Sequence, residues 1–137
     1  MNNAFTIHTD GGARGNPGPA AIGVVIEKNG TLLAEFGEKI GDTTNNVAEY
    51  TAVIKALQYL QSKGEQAEQI TFILDSLLVV NQLMGTFKIK DTKLQILAAQ
   101  VKSLERILCG KVIYTAVRRE LNKRADFFVN QALDASN

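Results

Sequence analysis

Three extended segments separated by two turns make up residues 4–40 of this chain, AFTIHTDGGARGNPGPAAIGVVIEKNGTLLAEFGEKI. Apolar and polar residues alternate in the first segment, as they do in a strand with one buried face. A loop rich in glycine and proline follows it, and Asn29-Gly30, the preferred pair for a tight hairpin turn, separates the other two segments. The predicted strands are Ala4 to Thr9, Ala20 to Glu27 and Leu32 to Ile40. The pattern therefore predicts three antiparallel strands.

Helical spacing of apolar residues dominates the chain after residue 43 and is interrupted by two short strands. The predicted helices are one from the capping residues Thr43 to Asn45 up to Gly64, and then Ser76 to Met84, Lys93 to Leu108 and Lys123 to Ala135. The strands predicted between them are Ile70 to Leu74 and Val112 to Val117. This order predicts an α/β fold with a five-stranded mixed sheet, in which helical crossovers join an antiparallel meander to parallel strands.

The composition is that of an ordinary folded, soluble protein. The length of 137 residues fits a single domain, residues 1–137, and the 45% of hydrophobic residues exclude disordered and fibrous classes. A net charge of +1 gives no global basic field, so contact with a polyanion would need a local patch. The lone cysteine, Cys109, excludes an internal disulfide, and we expect its thiol to lie in the core. Neither a leader segment nor an apolar run long enough to span a membrane is visible, which predicts a cytoplasmic protein.

Two carboxylates follow predicted strands: Asp10 follows the first strand, and Asp75 follows Ile70 to Leu74. Sites in open α/β sheets form at the carboxyl ends of the strands, so these two residues are the first candidates. Glu49 and Asp126, near the starts of two helices, could join them. Converging carboxylates repel one another unless a divalent cation or shared protons neutralise them, and oxygen ligands favour Mg²⁺ or Mn²⁺. With a phosphate substrate the natural reaction is two-metal phosphodiester hydrolysis. The alternative is that these acids are solvated surface groups.

Four blocks of this sequence, in this order and spacing, closely resemble the motifs of ribonuclease H type 1. They are TDGGARGNPGPAAIGVVI at residues 9–26, TTNNVAEYTAVIKAL at 43–57, ILDSLLVVNQLMGTFKIK at 73–90 and RRELNKRADFFVNQAL at 118–133. The resemblance covers nearly the whole chain, and it implies a ribonuclease H-like fold.

The resemblance also implies an activity, which is endonucleolytic cleavage of the RNA strand of RNA/DNA hybrids with 5′-phosphate and 3′-hydroxyl product ends. In the family two Mg²⁺ or Mn²⁺ ions are bound by acidic residues that match Asp10, Glu49, Asp75 and Asp126 here. Asp10 and Asp75 would be shared by the two ions. Glu49 would bind one ion and position the water or the ribose, and Asp126 would complete the other site. We expect a monomer with the hybrid as its partner and with no membrane contact.

Substrate contacts are implied for residues in three of the blocks. They are Gly11, Gly12 and Asn16 in the first loop, Thr44, Asn45 and Asn46 at the start of the first long helix, and Ser76, Phe87 and Lys88 after Asp75. The glycines would let the backbone approach a strand closely, and Asn16, Asn45 and Ser76 would line the RNA. Thr44 and Asn46 would hold a DNA phosphate, whereas Phe87 and Lys88 would follow the DNA strand. The alternatives are a plain turn for the loop, helix caps for Thr44 and Asn45, and a core position for Phe87.

The chain departs from the family pattern in three places. No histidine precedes the last aspartate, and Arg119, seven residues before Asp126, matches the arginine of a short-loop branch. Its charge could steer the scissile phosphate but could not act as a general base, and the alternative is a surface arginine paired with Glu120. Leu77 stands where a glutamine commonly lies, so one RNA contact is expected to be lost. The connector Gly85 to Thr92 replaces the basic, tryptophan-rich protrusion of many bacterial members.

Two other functions stay open on the sequence alone. The chain could be a non-catalytic nucleic-acid-binding domain of the same fold, although a binding module gains nothing from clustered, unneutralised acids. It could also be a relative that applies the same metal chemistry to double-stranded RNA or to DNA. His8, the only histidine, is expected to be a packing residue and not a catalytic one.

Overall fold

A computed structural model describes residues 3–135, which form one mixed sheet and the helices that flank it. The strands are β1 (Ala4–Ala13), β2 (Gly18–Lys28), β3 (Thr31–Thr43), β4 (Ala67–Leu74) and β5 (Cys109–Ala116). The helices are α1 (Asn45–Ser62), α2 (Leu77–Leu83), α3 (Thr92–Leu108) and α4 (Lys123–Asp134), with a 3₁₀ turn at Arg119–Leu121 before α4. The sheet order is β3-β2-β1-β4-β5, so the predicted five-stranded mixed sheet is confirmed.

The predicted hairpin between β2 and β3 is present at the Asn29-Gly30 pair. Both residues have positive φ, 51° and 83°, as the tight turn between antiparallel strands requires. Lys28 pairs with Thr31 across this turn, and the antiparallel pairing continues to Gly18 and Thr43.

The first strand is longer than predicted, and this changes the position of Asp10. Pairing between β1 and β2 continues past Asp10, opposite Gly23, as far as Ala13, opposite Ala20. Asp10 therefore lies inside a strand and not at its end, which corrects the sequence-based boundary. The glycines of this segment permit a strand as well as a loop, because nothing in extended backbone excludes them.

The parallel pairing of β1 with β4 brings Asp10 and Asp75 together. The last paired residues are His8 in β1 and Ile73 in β4. Asp10 follows His8 by two residues, and Asp75 follows Ile73 by two residues. Side chains two residues apart on a strand share a face. The register alone therefore places these two carboxylates beside each other.

Helices α1 and α4 cover opposite faces of the sheet at this point. A Cβ atom on Gly11 would lie 2.2 Å from the backbone carbon of Ala48 in α1, whereas one on Gly12 would face Val129 in α4. On the α4 side, a Cβ atom on Gly23 would lie 2.0 Å from the carbonyl oxygen of Ala125. Only glycine allows the close approaches at Gly11 and Gly23, whereas the space at Gly12 would accept a Cβ atom. None of the helices in residues 3–135 is long and apolar enough to cross a membrane.

The core lies mainly between the sheet and helices α1 to α3, and three sequence predictions about burial need correction. Cys109 is only half-buried at the edge of the core, where its thiol donates a hydrogen bond to the carbonyl oxygen of Lys111 at 2.9 Å. The apolar spacing of the last helix predicts that Ala125, Phe128, Val129 and Ala132 are buried; Ala125 and Val129 are buried, but Phe128 and Ala132 are only half-buried. Strand β5 lies at the edge of the sheet, and the main contacts of α4 are with β1, β2 and β3 and not with another helix, so neither element is covered on all sides.

Candidate active site

Three carboxylates meet where β1, α1 and β4 come together. Asp10, Glu49 and Asp75 each place an oxygen within 4.8 Å of those of the other two. Asp126 on α4 joins them through a side-chain contact with Asp10 at hydrogen-bonding distance. All four line an open cavity of about 580 Å³, called here the carboxylate cavity. Its other lining residues are Gly11, Gly12, Ala13, Arg14, Asn45, Asn46, Ser76, Val117, Arg118, Arg119, Val129, Asn130 and Leu133.

Glu49 owes its position to the start of α1. The hydroxyl of Thr44 accepts a hydrogen bond from the Val47 amide at 3.3 Å and caps the helix, as one alternative for Thr44 predicted. Glu49 then faces β1, where its carboxylate accepts a hydrogen bond from the Gly11 amide at 2.7 Å. This bond fixes the Glu49 carboxylate next to Asp10, the residue before Gly11.

Asp126 is held by a residue that the sequence did not single out. Asn122, at the start of α4, is 1% exposed, and its side-chain amide donates to the carbonyl oxygen of Thr9 at 2.9 Å. The carbonyl oxygen of Asn122 accepts the Asp126 amide at 3.2 Å one helical turn later. Asn122 thus connects α4 to the residue that precedes Asp10. A polar residue at a predicted helix start was the available signal, but its partner in β1 is invisible in the sequence.

The electrostatics of the cluster fit a divalent cation. Burial, with the nearby carboxylates Asp75 and Asp126 adding to it, raises the pKa of Asp10 to about 8. Burial also raises the pKa of Glu49 well above its ordinary value, and Asp10 and Asp75 add to this shift. Asp10 is 6% and Glu49 5% exposed, so water does little to relieve the repulsion. Closely spaced oxygen ligands whose charges are mutually unfavourable are the donor set that Mg²⁺ and Mn²⁺ prefer.

The loop after Asp10 is connected to α1 by two asparagines. Asn45 accepts a hydrogen bond from the Ala13 amide at 2.9 Å and donates its own backbone amide to the side chain of Asn16 at 3.0 Å. The side-chain oxygens of both asparagines are therefore used within the protein. Their side-chain N–H groups have no partner among residues 3–135 and can donate to a ligand. Asn45 lines the carboxylate cavity, whereas Asn16 lies beside it.

A second, smaller cavity of about 320 Å³ lies on the other side of the α1 N-terminus. Asn16, Thr44 and Asn46 line it, and Asn46 also lines the carboxylate cavity. The structure therefore brings together the predicted RNA-side and DNA-side residues of this segment at two adjoining cavities.

The predicted contacts after Asp75 are divided between the cavity and the surface. Ser76 lines the carboxylate cavity, and its hydroxyl accepts the Val79 amide at 3.3 Å as the cap of α2. Phe87 and Lys88 lie outside the cavity in the connector after α2, and both are exposed. With 46% of its surface exposed, Phe87 is not a core residue, so that alternative is wrong.

Arg119 lines the carboxylate cavity from the turn that precedes α4. Its side chain is exposed, and the ion pair with Glu120 belongs to Arg118, whose Nε lies 3.8 Å from the Glu120 carboxylate. The alternative of an Arg119–Glu120 pair is therefore wrong. His8 is half-buried in β1 and does not line the cavity, in keeping with the packing role predicted for it.

Comparison with known proteins assigns this geometry to a family. The sequence model of the family described as Reverse transcriptase-like matches residues 8–132. The crystal structure of LC11-RNase H1 in complex with an RNA/DNA hybrid is 43% identical and superposes with a TM-score of 0.90, over 95% of this chain and 96% of that one. The RNase H1 structure from Halobacterium salinarum superposes with a TM-score of 0.90 at 38% identity, over 97% and 99% of the two chains. The chain belongs to the ribonuclease H type 1 family.

Curated ribonuclease H relatives extend beyond the matched region. The bifunctional protein of Mycobacterium tuberculosis is 40% identical over 132 residues, which are 95% of this chain and 35% of that protein. Ribonuclease HI of Halobacterium salinarum is 42% identical over 128 residues, which are 91% of this chain and 62% of that protein. The chain thus spans about a third of the mycobacterial relative and less than two thirds of the halobacterial one.

Proposed function

We propose that this protein hydrolyses the RNA strand of RNA/DNA hybrids endonucleolytically and leaves 5′-phosphate and 3′-hydroxyl ends. The observation that carries the proposal is the carboxylate cavity, where Asp10, Glu49 and Asp75 have oxygens within 4.8 Å of one another. The matched LC11-RNase H1, with its RNA/DNA hybrid, supports the choice of substrate. A binding module would have no use for acids that repel one another so strongly.

Two divalent ions, Mg²⁺ or Mn²⁺, would be held by the four carboxylates. Asp10 and Asp75 are the candidates for shared ligands, Glu49 for a ligand of one ion, and Asp126 for a ligand of the other. When bound, such ions lower the pKa of an attacking water and stabilise the charge on the leaving oxygen. No imidazole is among the residues that line the cavity, so none of these lining side chains is a general base of ordinary pKa near 7.

The polar wall of the cavity supports recognition of RNA. Asn45 and Ser76 line it beside the carboxylates, and an amide or hydroxyl can hydrogen-bond a 2′-hydroxyl group, which DNA lacks. The adjoining cavity at Thr44 and Asn46 suits a phosphate of the DNA strand, because amide and hydroxyl groups at a helix N-terminus bind anions. Phe87 and Lys88 would continue the DNA contact by stacking and charge.

A substrate panel tests this proposal. The protein is incubated with an RNA/DNA hybrid, double-stranded RNA, single-stranded RNA and double-stranded DNA, each with Mg²⁺, with Mn²⁺ and with a chelator. We expect metal-dependent cuts that are confined to the RNA strand of the hybrid and lost in Asp75→Asn. Cleavage of double-stranded RNA or of DNA instead would assign a different substrate. Binding without cleavage under every metal condition would make the protein a binding domain.

Arg119→Ala is expected to slow hybrid cleavage by roughly 10- to 100-fold, which corresponds to a loss of about 1.4 to 2.8 kcal/mol of transition-state stabilisation. The stability of the fold should not change. Arg119 is exposed at the cavity rim, so its removal leaves no cavity in the core. Its guanidinium can stabilise charge on the scissile phosphate but cannot accept a proton. Single-turnover rates and thermal melts measure both effects, with Arg106→Ala on α3, outside the carboxylate cavity, as the control. An Arg119→Ala rate equal to that of wild type would remove this residue from the site.

Hybrid binding is expected to be weaker and more salt-sensitive than in family members that carry the basic protrusion. Only the connector between Leu83 and Thr92 lies between α2 and α3 here, and the chain has no tryptophan. Fewer stacking contacts leave phosphate contacts as the main source of affinity, and their strength falls with ionic strength. Dissociation constants measured over a salt series, with a protrusion-bearing member at matched ionic strength, test this. Equal affinities would contradict it.

A further inference from the structure

Arg14 lies in the loop between β1 and β2 and lines the carboxylate cavity. Its Nη1 lies 2.7 Å from a carboxylate oxygen of Asp134, and its Nη2 donates to the side-chain oxygen of Asn130 at 3.3 Å. Both partners belong to the second half of α4. Arg119, by contrast, precedes the start of α4, so the two arginines mark opposite ends of this helix along the cavity.

Asn130 connects Arg14 to a catalytic candidate. Its side-chain N–H donates to the carbonyl oxygen of Asp126 at 3.0 Å, while its oxygen accepts from Arg14. Asp126, Asn130 and Asp134 follow one another at four-residue spacing, which puts them on the same face of α4. The guanidinium is thus anchored on the helical face that also presents Asp126.

The backbone of this loop is equally fixed. The Arg14 amide donates to the carbonyl oxygen of Pro19 at 2.8 Å, and the Ala13 amide donates to Asn45 at 2.9 Å. An arginine on a fixed loop loses less freedom when it binds a ligand than one on a mobile loop.

The contacts with Asp134 and Asn130 leave some N–H donors of the Arg14 guanidinium unused. It carries five N–H donors, of which the two contacts occupy only part, and its side chain is 48% exposed. Ion pairs between exposed groups are weak, so a phosphate can share the guanidinium with Asp134. The two contacts therefore orient Arg14 without neutralising it as a phosphate ligand.

We propose that Arg14 binds a phosphate of the cut strand, on the side of the reacting centre opposite to Arg119. The proposal rests on the proposed function, because the strand that enters the carboxylate cavity is the one that is cut. Asp134 lies eight residues after Asp126, about 12 Å along the helix axis, so Arg14 contacts a linkage beyond the reacting one. Asn130 and Asp134 are positioning residues for this contact.

Neutral linkages in the RNA strand test the contact directly. The substrates are hybrids with one preferred cleavage site. In the first series each hybrid carries a single methylphosphonate at a different position of the RNA strand, and in the second series at a different position of the DNA strand. Fluorescence anisotropy gives their dissociation constants in a chelating buffer, and a salt series gives the slope of log K against log salt. The variants are Arg14→Ala, Arg14→Gln and the charge-retaining Arg14→Lys, with Arg106→Ala as a control of the same chemistry outside the cavity. Thermal melts test whether each variant is folded. If Arg14→Ala has a lower melting temperature than the wild type, Arg14→Gln replaces it in the binding measurements.

The expected result is that Arg14→Ala binds the unmodified hybrid about tenfold more weakly at low ionic strength and loses about one unit of salt slope. One RNA linkage whose neutralisation weakens binding by the wild-type protein should no longer affect binding by Arg14→Ala. Arg14→Lys should keep the slope. An unchanged slope in Arg14→Ala, or a lost linkage on the DNA strand, would overturn the proposal. Wild-type protein that binds hybrids but cuts none would instead defeat the proposed function, since the binding series needs no cleavage.

Discussion

Asp10→Asn is expected to reduce hybrid cleavage by about 10³-fold or more, which corresponds to about 4 kcal/mol of transition-state stabilisation. Asp10 lies close enough to Asp75 and to Asp126 for both carboxylates to raise its pKa, and it is one of the three residues whose oxygens lie within 4.8 Å of one another. An amide keeps the shape of the carboxyl group but lacks the charge that would hold a divalent cation between these residues. The loss should appear in kcat, because the substrate-contacting side chains of the cavity wall are unchanged.

The same substitution should stabilise the fold when cations are absent. Asp10 has an ordinary pKa of 3.8 and a pKa of about 8 in the folded protein. Between these pH values the unfolded chain has released the proton that the folded chain keeps, so the free energy of unfolding decreases as the pH rises. Asp10→Asn removes this penalty. We expect it to gain on the order of 2–4 kcal/mol near pH 7 in a chelating buffer, and almost nothing near pH 4.

Cleavage assays and thermal melts with and without Mg²⁺ measure both effects. The matched control is Asp42→Asn, an exposed carboxyl group on β3 that does not line the carboxylate cavity. Asp42→Asn should cleave the hybrid and unfold at the same temperature as the wild type. Added Mg²⁺ should raise the melting temperatures of the wild type and of Asp42→Asn more than that of Asp10→Asn. Wild-type cleavage by Asp10→Asn would contradict the proposed site, and an unchanged melting temperature in chelator would contradict the electrostatic argument.

Gly11→Ala is expected to lower the melting temperature by about 10 °C and cleavage by about 100-fold. The new Cβ atom would lie 2.2 Å from the backbone carbon of Ala48 and 2.5 Å from the Glu49 amide nitrogen. Backbone atoms in a helix cannot move aside singly, so α1 as a whole must shift from β1. That shift would break the 2.7 Å bond from the Gly11 amide to Glu49 and move this carboxylate away from Asp10.

The adjacent glycine provides the control for this prediction. A Cβ atom on Gly12 would meet only Cγ1 of Val129, at 3.7 Å, which is an ordinary van der Waals contact. Thermal melts of Gly12→Ala should therefore stay within about 2 °C of wild type, since no backbone is displaced. Equal melting temperatures for Gly11→Ala and Gly12→Ala would show that α1 does not approach β1 as closely as described.

Much of the sheet and two of the carboxylates could be predicted from the sequence because they depend on local patterns. Alternation and the Asn29-Gly30 turn predicted the meander, and a short apolar strand pointed to Asp75. The end of β1 could not be predicted, because the glycines after Asp10 are compatible with a loop as well as with a strand. Pairing with β2 decides between them, and that pairing is a property of the folded sheet.

Contacts between distant parts of the chain account for what the sequence did not disclose. Asn122 and Thr9 are 113 residues apart, and Arg14 reaches Asn130 across 116 residues. No local pattern in the sequence reports such a pair. The prediction that Cys109 is buried in the core was wrong for a related reason. Cysteine is usually buried, but Cys109 lies in an edge strand, which is covered on fewer sides than a central strand.

The parallel register of β1 and β4 also limits how the length of this chain can vary. One residue inserted within residues 4–8 or 69–73 would displace Asp10 from Asp75 and turn one of them to the opposite face of the sheet. Insertions at Gly30, Gly64 or Gly85 would leave both strands intact, because open space surrounds these turns. Homologues should therefore gain and lose residues at the turns, while the number of residues from the start of each of these two strands to its carboxylate stays constant.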